Sequence, residues 1–459
     1  MLLCGNIEFP ENRGAPSTAV PTLTFGREVA TLGGSVGTGG RLGQALGRTD
    51  GWRALAPVVM LGSVVVSVIV NSATDPIDFH IYVLGGAALE QPGSLYHTAY
   101  LDPAHHETMP FVYPPFAAMV FYPLHFVPFG LAVTAWRLGI IAALFVVIRL
   151  SQKMIGVVDD RVAMLWSAGA IWLEPIVGNI KHATIGVFLM ILVMAAASGS
   201  RWWLSGLLLG LGTGIKLTPA AGGLYCAGMR RPATAGFAAT VFIATLAVSS
   251  LVAGDRVRYF FTDFIGQDKL FTYGNVYNQS WRGGIARIVG HDPGMGPLVW
   301  TAIAATALLA ACAWWALGDA GSAPDRLGRL LVVMLVALVA SPVSWTAHWV
   351  WLVPLLIWLL HGPWREAPGA RWLWWAWAVT TLAAVPNMLA QLQVNRWEIS
   401  RPWYEAWAGL IYPILTLATL AWLVATGLAA RRRQHPPTGT TGPGNFTRKT
   451  GYPTDIVGR

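Results

Sequence analysis

The feature that most constrains this chain is a succession of long apolar runs in which charge is scarce. About a dozen of them fall near 52–70, 113–150, 162–178, 184–199, 202–214, 217–229, 234–253, 296–317, 327–343, 346–361, 371–389 and 405–429. In a bilayer only a closed barrel or a helix satisfies its own backbone polar groups, and runs of this length and continuity are helical. The expectation is therefore an all-α polytopic membrane protein of about 12 transmembrane helices. Composition agrees: only 12% of residues are charged, against about a quarter in soluble domains. The 23 Trp and 12 Tyr supply material for aromatic belts at the membrane surfaces.

Lys and Arg flank these runs. With the N-terminus on the cytoplasmic side beside Arg48 and Arg53, alternating crossings place Arg149, Lys153, Arg161, Arg201, Arg230, Arg231, Arg326 and Arg329 inside. The Arg431–Arg433 triplet falls there too. The pattern requires one net crossing from 113–150, so "YPPFAAMVFYPLHFVPF" is expected to be re-entrant, interfacial or sharply broken. The outer side then carries 71–112, the turn near 179–183, Lys216, 254–295, "SPVSWTAHW" and 390–404. Three parts result: a disordered cytoplasmic tail over 1–48, a membrane domain over 49–430 and a second disordered cytoplasmic tail over 431–459. The pI near 9.7 is explained by this flanking pattern, with no nucleic-acid partner needed. Cys4, Cys226 and Cys312 form no disulfide framework, and neither CxxC nor a His-rich metal spacing occurs.

Nearly every unusual polar cluster lands on the outer side. In "DPIDFHIYVLGGAAL", Ile77, Tyr82, Val83, Leu84, Ala87, Ala88 and Leu89 give a helix-like apolar face around Asp78. That spacing predicts a helix lying in the interface with Asp78 at headgroup level. The aspartate is either a water-facing loop residue or a catalytic base, with Asp75 a lesser candidate. Lys216 interrupts the Gly-rich run "GTGIKLTPA": either its ammonium snorkels to the surface or it serves a site. "NQSWRGG" sets Asn278, Gln279, Trp281 and Arg282 in one outer loop. Amides suit sugar hydroxyls, an indole stacks on a pyranose, and a guanidinium clamps phosphate. His348 stands among Trp345, Trp349 and Trp351, as a packed histidine or a functional one. Glu174 in "IWLEP" reads as a buried acid with a structural partner.

Taken in order, "DFHIYVLGGAAL", "YPPFAAMVFYPLHFVPFG", "RWWLSGLLLG", "IKLTPA", "YFFTDFIG", "NQSWRG", "SPVSWTAHWVWLVPL" and "RPWYEAWAGL" resemble glycosyltransferase family 87. The resemblance runs from about residue 50 to 429. It implies a GT-C fold with outer-face interfacial helices and loops, and a multi-pass enzyme of the plasma membrane whose active site opens to the periplasmic face. It further implies a polyprenyl phosphomannose donor, a phosphatidylinositol mannoside acceptor, an inverting transfer with α-1,2 linkage, and no metal or other cofactor. Asp78 maps to the family's first-loop aspartate and would be the general base. His348, Lys216 and Arg282 would stabilise the leaving phosphate, with Asn278, Gln279 and Trp281 at the donor sugar. One carboxylate suffices because a phosphate leaving group needs charge stabilisation rather than protonation.

Two departures stand out. Where the family shows two adjacent histidines, this chain has Ala347 before His348. Where the family carries Tyr-Gly-Gln-Ile-Asn, it has His182, Ala183, Thr184, Ile185 and Gly186. Two rival functions remain open: a transporter or flippase for a lipid-linked sugar, which calls for paired broken helices in the two halves, and a family member that binds glycolipid with impaired catalysis.

Overall fold

The computed structural model describes residues 39–91, 93–103, 107–265, 273–318, 325–393 and 398–434; residues 1–38 and 435–459, and with them most of both expected tails, lie outside the described residues. The chain divides into two compact units at Gly51. In the first only the start of helix α1 (Gly39–Ser72) is described, and it begins ahead of the expected boundary at 48. The second unit, from Trp52 onward, holds every other element.

The described residues are overwhelmingly helical. After α1 come α2 (Ile77–Ala87), a hairpin of β1 (Ala99–Asp102) and β2 (Glu107–Pro110), α3 (Pro115–Phe121) and α4 (Phe129–Met154). The hairpin is antiparallel, with Ala99 opposite Pro110 and Tyr100 opposite Met109. Next are α5 (Asp160–Ala170), α6 (Glu174–His182), α7 (Gly186–Ser198), α8 (Trp202–Ile215), α9 (Ala221–Gly228), α10 (Pro232–Ala253) and α11 (Arg256–Tyr259). The chain continues through α12 (Trp281–Val289), α13 (Pro297–Leu317), α14 (Arg326–Ala340), a 3-10 turn over Thr346–Trp351 and α15 (Leu352–His361). It closes with α16 (Ala370–Leu382), α17 (Val385–Gln391), α18 (Trp403–Ala408) and α19 (Ile411–Gln434).

Five of these are long and apolar enough to cross a membrane: Ala54–Ser72 within α1, then α4, α10, α13 and Ile411–Arg432 within α19. A sixth is added if α6 and α7, bent by 118° at their junction, form one span. The remaining apolar runs fold as shorter helices such as Trp202–Ile215. The long run over 113–150 is broken as its prolines require: α3 starts at Pro115, a 3-10 turn spans Tyr122–Phe126, and Pro128 caps α4.

The spans expose apolar side chains, as lipid contact demands: Val58, Leu61 and Ile69 on α1, Ile243 and Leu251 on α10, Leu308 on α13. Between helices, small residues take over. Gly206, Gly210 and Gly214 form one face of α8, and a Cβ on Gly210 would lie 2.5 Å from Val241 Cβ of α10. The same face meets Phe237 and Thr245, so a small residue every fourth position sets how closely α8 and α10 approach. Of the cysteines, Cys226 is buried, while Cys312 is on the exposed face of α13.

Two packed cores frame the interior. The larger gathers α4 to α8 with α13 to α16 and α19, around the fully buried Trp349, Trp358 and Trp377. The smaller is largely aromatic and sits between α2, the hairpin region, α3 and the segment after α11, with Phe79, Tyr82, Tyr96, Phe111, Tyr113, Phe121, Phe260 and Phe264.

Candidate active site

Helix α2 carries Asp78 in its first turn, where the helix N-terminus favours a carboxylate. The sequence pattern predicted this helix but gave its apolar face to lipid; in the structure protein covers it. Phe79 and Tyr82 are fully buried, Phe79 edge-on to Phe129 and Trp136, Tyr82 stacked on Phe121. The two glycines of the motif explain how α2 gets so close. A Cβ on Gly85 would lie 2.1 Å from the Phe111 ring, and one on Gly86 would lie 2.9 Å from the Phe121 carbonyl oxygen. Asp78 itself remains partly exposed.

Facing it is Lys216, which caps the C-terminal end of α8 in an extended conformation. Its Nζ lies 3.1 Å from His348 Nε2 and 5.3 Å from the centre of the Tyr113 ring. The His348 ring also bonds the Val343 backbone. An ammonium has only donors, so Nε2 accepts from Lys216 and the histidine is the neutral tautomer with its proton on Nδ1. Burial pushes the Asp78 carboxyl up to about 6, against the pull of the Lys216 charge. Burial likewise brings Lys216 down to about 8, against the pull of Asp78. Lys216 and His348 line a cleft with Gly186, Thr218, Ser341 and Ser344. The Ser344 hydroxyl is buried there with no hydrogen-bond partner among the described residues.

The structure thus brings together Asp78, Lys216 and His348, from segments that are far apart in sequence. It places the other four sequence candidates elsewhere. Asn278 is fully buried: its Nδ2 donates to the Tyr273 and Pro342 carbonyls at 2.9 and 3.1 Å, and its Oδ1 accepts from Ser344 N–H at 2.8 Å. Gln279 donates to the carbonyls of Val276 and Gly409 at 2.6 and 2.9 Å and accepts from Tyr412 N–H at 3.3 Å. Trp281 donates to Thr306 Oγ1 at 2.9 Å. Arg282 is held by Asp292 through two bonds of 2.9 and 2.6 Å, with its guanidinium 3.3 Å above the Tyr273 ring. None of the four lines the cleft.

They form a brace instead. Gln279 N–H donates to the Ser344 carbonyl at 2.8 Å and Thr346 N–H to the Tyr277 carbonyl at 2.9 Å, a short antiparallel bridge that fixes the turn bearing His348. Removing the Asn278 clamp takes the acceptor from the buried Ser344 N–H, a loss of about 1–3 kcal/mol, while the Pro342 carbonyl keeps the Ser280 hydroxyl at 3.1 Å. Asn278→Ala is therefore expected to lower stability by about 1–3 kcal/mol, read as an earlier thermal transition of the detergent-solubilised protein. Glu174 accepts from the Tyr412 hydroxyl at 2.8 Å, which ties α6 to α19.

Helix α6 supports the same turn from the other side. Asn179 Nδ2 donates to the Ala347 carbonyl at 2.6 Å, and a Cβ on Gly178 would stand 3.2 Å from Ala347 Cβ. Ala347, the position of the family's other histidine, therefore faces a helix, while His348 faces the lysine. In the changed turn, Ala183 takes a left-handed conformation (φ 54°) that ends α6, and Ile185 N–H donates to Tyr82 Oη at 3.1 Å. Three groups near Lys216 carried no sequence expectation as site residues: Ser344 in the cleft lining, Tyr113 beneath the lysine, and Tyr82, whose hydroxyl meets that of Tyr113. For Tyr82 the signal was present, four residues beyond Asp78 on one helix face. Among the described residues no group of three or more His, Cys, Asp or Glu side chains is placed to hold a metal ion.

The profile of glycosyltransferase family 87 matches residues 111–342. The chain is 51% identical over 375 residues to a protein of Mycolicibacterium smegmatis named polyprenol-phosphate-mannose-dependent alpha-(1-2)-phosphatidylinositol pentamannoside mannosyltransferase, covering 80% of this chain and 91% of that protein. It is 51% identical over 361 residues to the Mycobacterium tuberculosis protein of the same name, covering 78% and 83%. A second M. smegmatis protein, a polyprenol-phosphate-mannose-dependent alpha-(1-2)-phosphatidylinositol mannoside mannosyltransferase, is 34% identical over 346 residues, covering 69% and 77%. No solved structure matches. A helical membrane chain in which a lysine and a histidine line one cleft and a carboxylate acts electrostatically on that lysine, matched across most of its length by these relatives, belongs to glycosyltransferase family 87.

Proposed function

We propose that this protein is an inverting membrane mannosyltransferase that moves mannose from a polyprenyl phosphomannose to a phosphatidylinositol mannoside, forming an α-1,2 linkage. The reading includes a GT-C fold with about 12 crossings, an active site on the periplasmic face of the plasma membrane, a catalytic domain over 49–430, and cytoplasmic tails over 1–48 and 431–459. The observation that carries it is the Lys216–His348 contact of 3.1 Å opposite Asp78, in a chain 51% identical to relatives that bear this activity in their names.

The geometry supports a single displacement. Asp78 removes the proton from the acceptor hydroxyl as that oxygen bonds to C1 of the mannose, and the C1–O bond to phosphate breaks with its electron pair. The polyprenyl phosphate departs with an additional negative charge. Lys216 meets that charge with an ammonium already oriented: His348 accepts one of its three protons, leaving two for phosphate oxygens. His348 is thus a positioning residue for the lysine. The buried Ser344 hydroxyl at the cleft wall is a third donor within the same lining. Asn278, Gln279, Trp281 and Arg282 hold the walls rather than the sugar.

The test is transfer from labelled polyprenyl phosphomannose to purified phosphatidylinositol mannosides by the solubilised protein, with product digestion by an α-1,2-specific mannosidase. Absence of any transfer to the whole acceptor series would sink the reading. Because the base must be ionised and the lysine protonated, kcat/KM is expected to rise with pH through about 6 and to fall above about 8. A flat profile between those limits and beyond them would contradict the roles given to the pair. Ala347 lies against Gly178 and away from Lys216, which speaks against impaired catalysis from that substitution. A transporter calls for paired broken helices, and among the described residues one bent pair is found.

A further inference from the structure

The Tyr113-Pro114-Pro115 stretch, which hydropathy marks only as an entry to the membrane, holds an oriented hydroxyl. Tyr113 is only 6% exposed, and its ring and backbone are fixed from several sides. Two prolines follow it, Pro114 capping α3 and Pro115 opening that helix. Its carbonyl accepts from Tyr96 Oη at 3.0 Å. Its ring lies edge-on to Tyr82 at 5.4 Å and to Phe121 at 6.2 Å.

The direction of its hydroxyl proton is set by its neighbours. The Tyr82 and Tyr113 hydroxyl oxygens are 3.1 Å apart, and Tyr82 Oη already accepts Ile185 N–H at 3.1 Å. Tyr82 is fully buried, so its own proton must go to the one acceptor within reach, the Tyr113 oxygen. The reverse arrangement would bury the Tyr82 proton with nothing to receive it. Tyr113 therefore keeps a proton that no acceptor among the described residues takes, on a ring whose centre is 5.3 Å from Lys216 Nζ.

We infer that Tyr113 is a substrate-binding residue whose hydroxyl donates to a phosphate oxygen of the lipid donor, beside the Lys216 ammonium. It gives a hydrogen bond and transfers no proton. Its acceptor must be anionic or a strong acceptor that approaches Lys216, and the leaving phosphate is the group for which that lysine is placed. The inference rests on the proposed transferase reading.

Tyr113→Phe keeps the ring and deletes the donor. It is expected to lower kcat/KM for polyprenyl phosphomannose roughly 10- to 100-fold and to weaken inhibition by polyprenyl phosphate by about tenfold. KM for the acceptor and the two limbs of the pH profile should stay in place, which a general loss of structure would not allow. Binding of polyprenyl phosphate, followed as a thermal shift without turnover, separates the phosphate contact from the transfer reaction. A weaker shift in the variant upholds the contact even if the wild-type protein proves unable to transfer mannose. Unchanged donor kinetics and an unchanged shift would overturn it. Should the single variant not accumulate, Tyr82→Phe with Tyr113→Phe removes both hydroxyls but takes the acceptor from Ile185 N–H, so Tyr82→Phe alone is its control: the donor losses are expected in the double variant and not in the control.

Discussion

Asp78→Asn is expected to lower kcat for mannosyl transfer by about three orders of magnitude, while leaving the protein folded. General-base catalysis is worth roughly 10²- to 10⁴-fold, and the neighbouring carboxylate, Asp75, is engaged by the Tyr100 hydroxyl and His80. A thousandfold loss corresponds to about 4 kcal/mol of activation free energy. The substitution is isosteric and removes only the ionisable oxygen. Burial raises the Asp78 carboxyl and the charge of Lys216 opposes it, with no hydrogen bond to the carboxylate among the described residues. Replacing an unpaired carboxylate in such a place relieves a desolvation cost, so the thermal transition should hold or move upward. Rate collapse with retained stability is the signature of a group kept for chemistry. A variant that transfers mannose at an undiminished rate would remove Asp78 from the mechanism. The rising limb near pH 6 should vanish with the carboxylate in any residual activity.

Much of the fold could be read from hydropathy because lipid exposure demands unbroken apolar helices, and α1, α4, α10, α13 and α19 supply them. The count of crossings could not. Helices such as Trp202–Ile215, Arg326–Ala340 and Leu352–His361 are as apolar as spans but short, and composition alone does not tell a buried helix from a crossing one. The small-residue face of α8 was present in the sequence as Gly206, Gly210 and Gly214; its partner on α10 was not marked by spacing to it.

At the site, the sequence singled out residue types but not the direction of their side chains. Asp78, Lys216 and His348 stood out because a charge or a histidine in an apolar context is costly and needs a reason. Asn278, Gln279 and Arg282 stood out as a dense polar set in one outer loop, and in the structure their polar atoms are taken up by other parts of the protein. A buried amide that clamps Pro342 and Ser344 and one that would grip a sugar have identical local sequence. The difference lies in partners supplied from far along the chain, for instance across the 64 positions between Asn278 and Pro342. The chain's own hydrogen-bonding requirement decided the matter, since buried polar atoms rarely remain unpaired. Near the cleft the informative groups are the Asp78 carboxylate, the Ser344 hydroxyl and the Tyr113 hydroxyl proton, for which no acceptor or donor among the described residues is found.

Lys216→Met should cost about 10²- to 10³-fold in kcat/KM for the donor, with most of the loss in kcat. Methionine preserves the length and flexibility of the side chain and its packing over Tyr113, so the variant tests charge rather than bulk. In the ground state the phosphodiester already carries one negative charge; the second develops as the bond to C1 breaks. An ammonium in a water-poor cleft, held by His348 at 3.1 Å, interacts more strongly with the developing charge than with the initial one. The variant also changes what the base feels. The Lys216 charge is the one influence that holds the Asp78 carboxyl down toward about 6 against burial. Without it the carboxyl moves higher, so the rising limb of the pH profile shifts to more alkaline pH. At the same time the falling limb near 8, which reports deprotonation of the lysine itself, disappears. A lysine that merely snorkelled to the surface would produce neither change. A variant whose rising limb stays near pH 6 would separate Lys216 from Asp78, however large its loss of rate, and the two would then no longer belong to one catalytic unit.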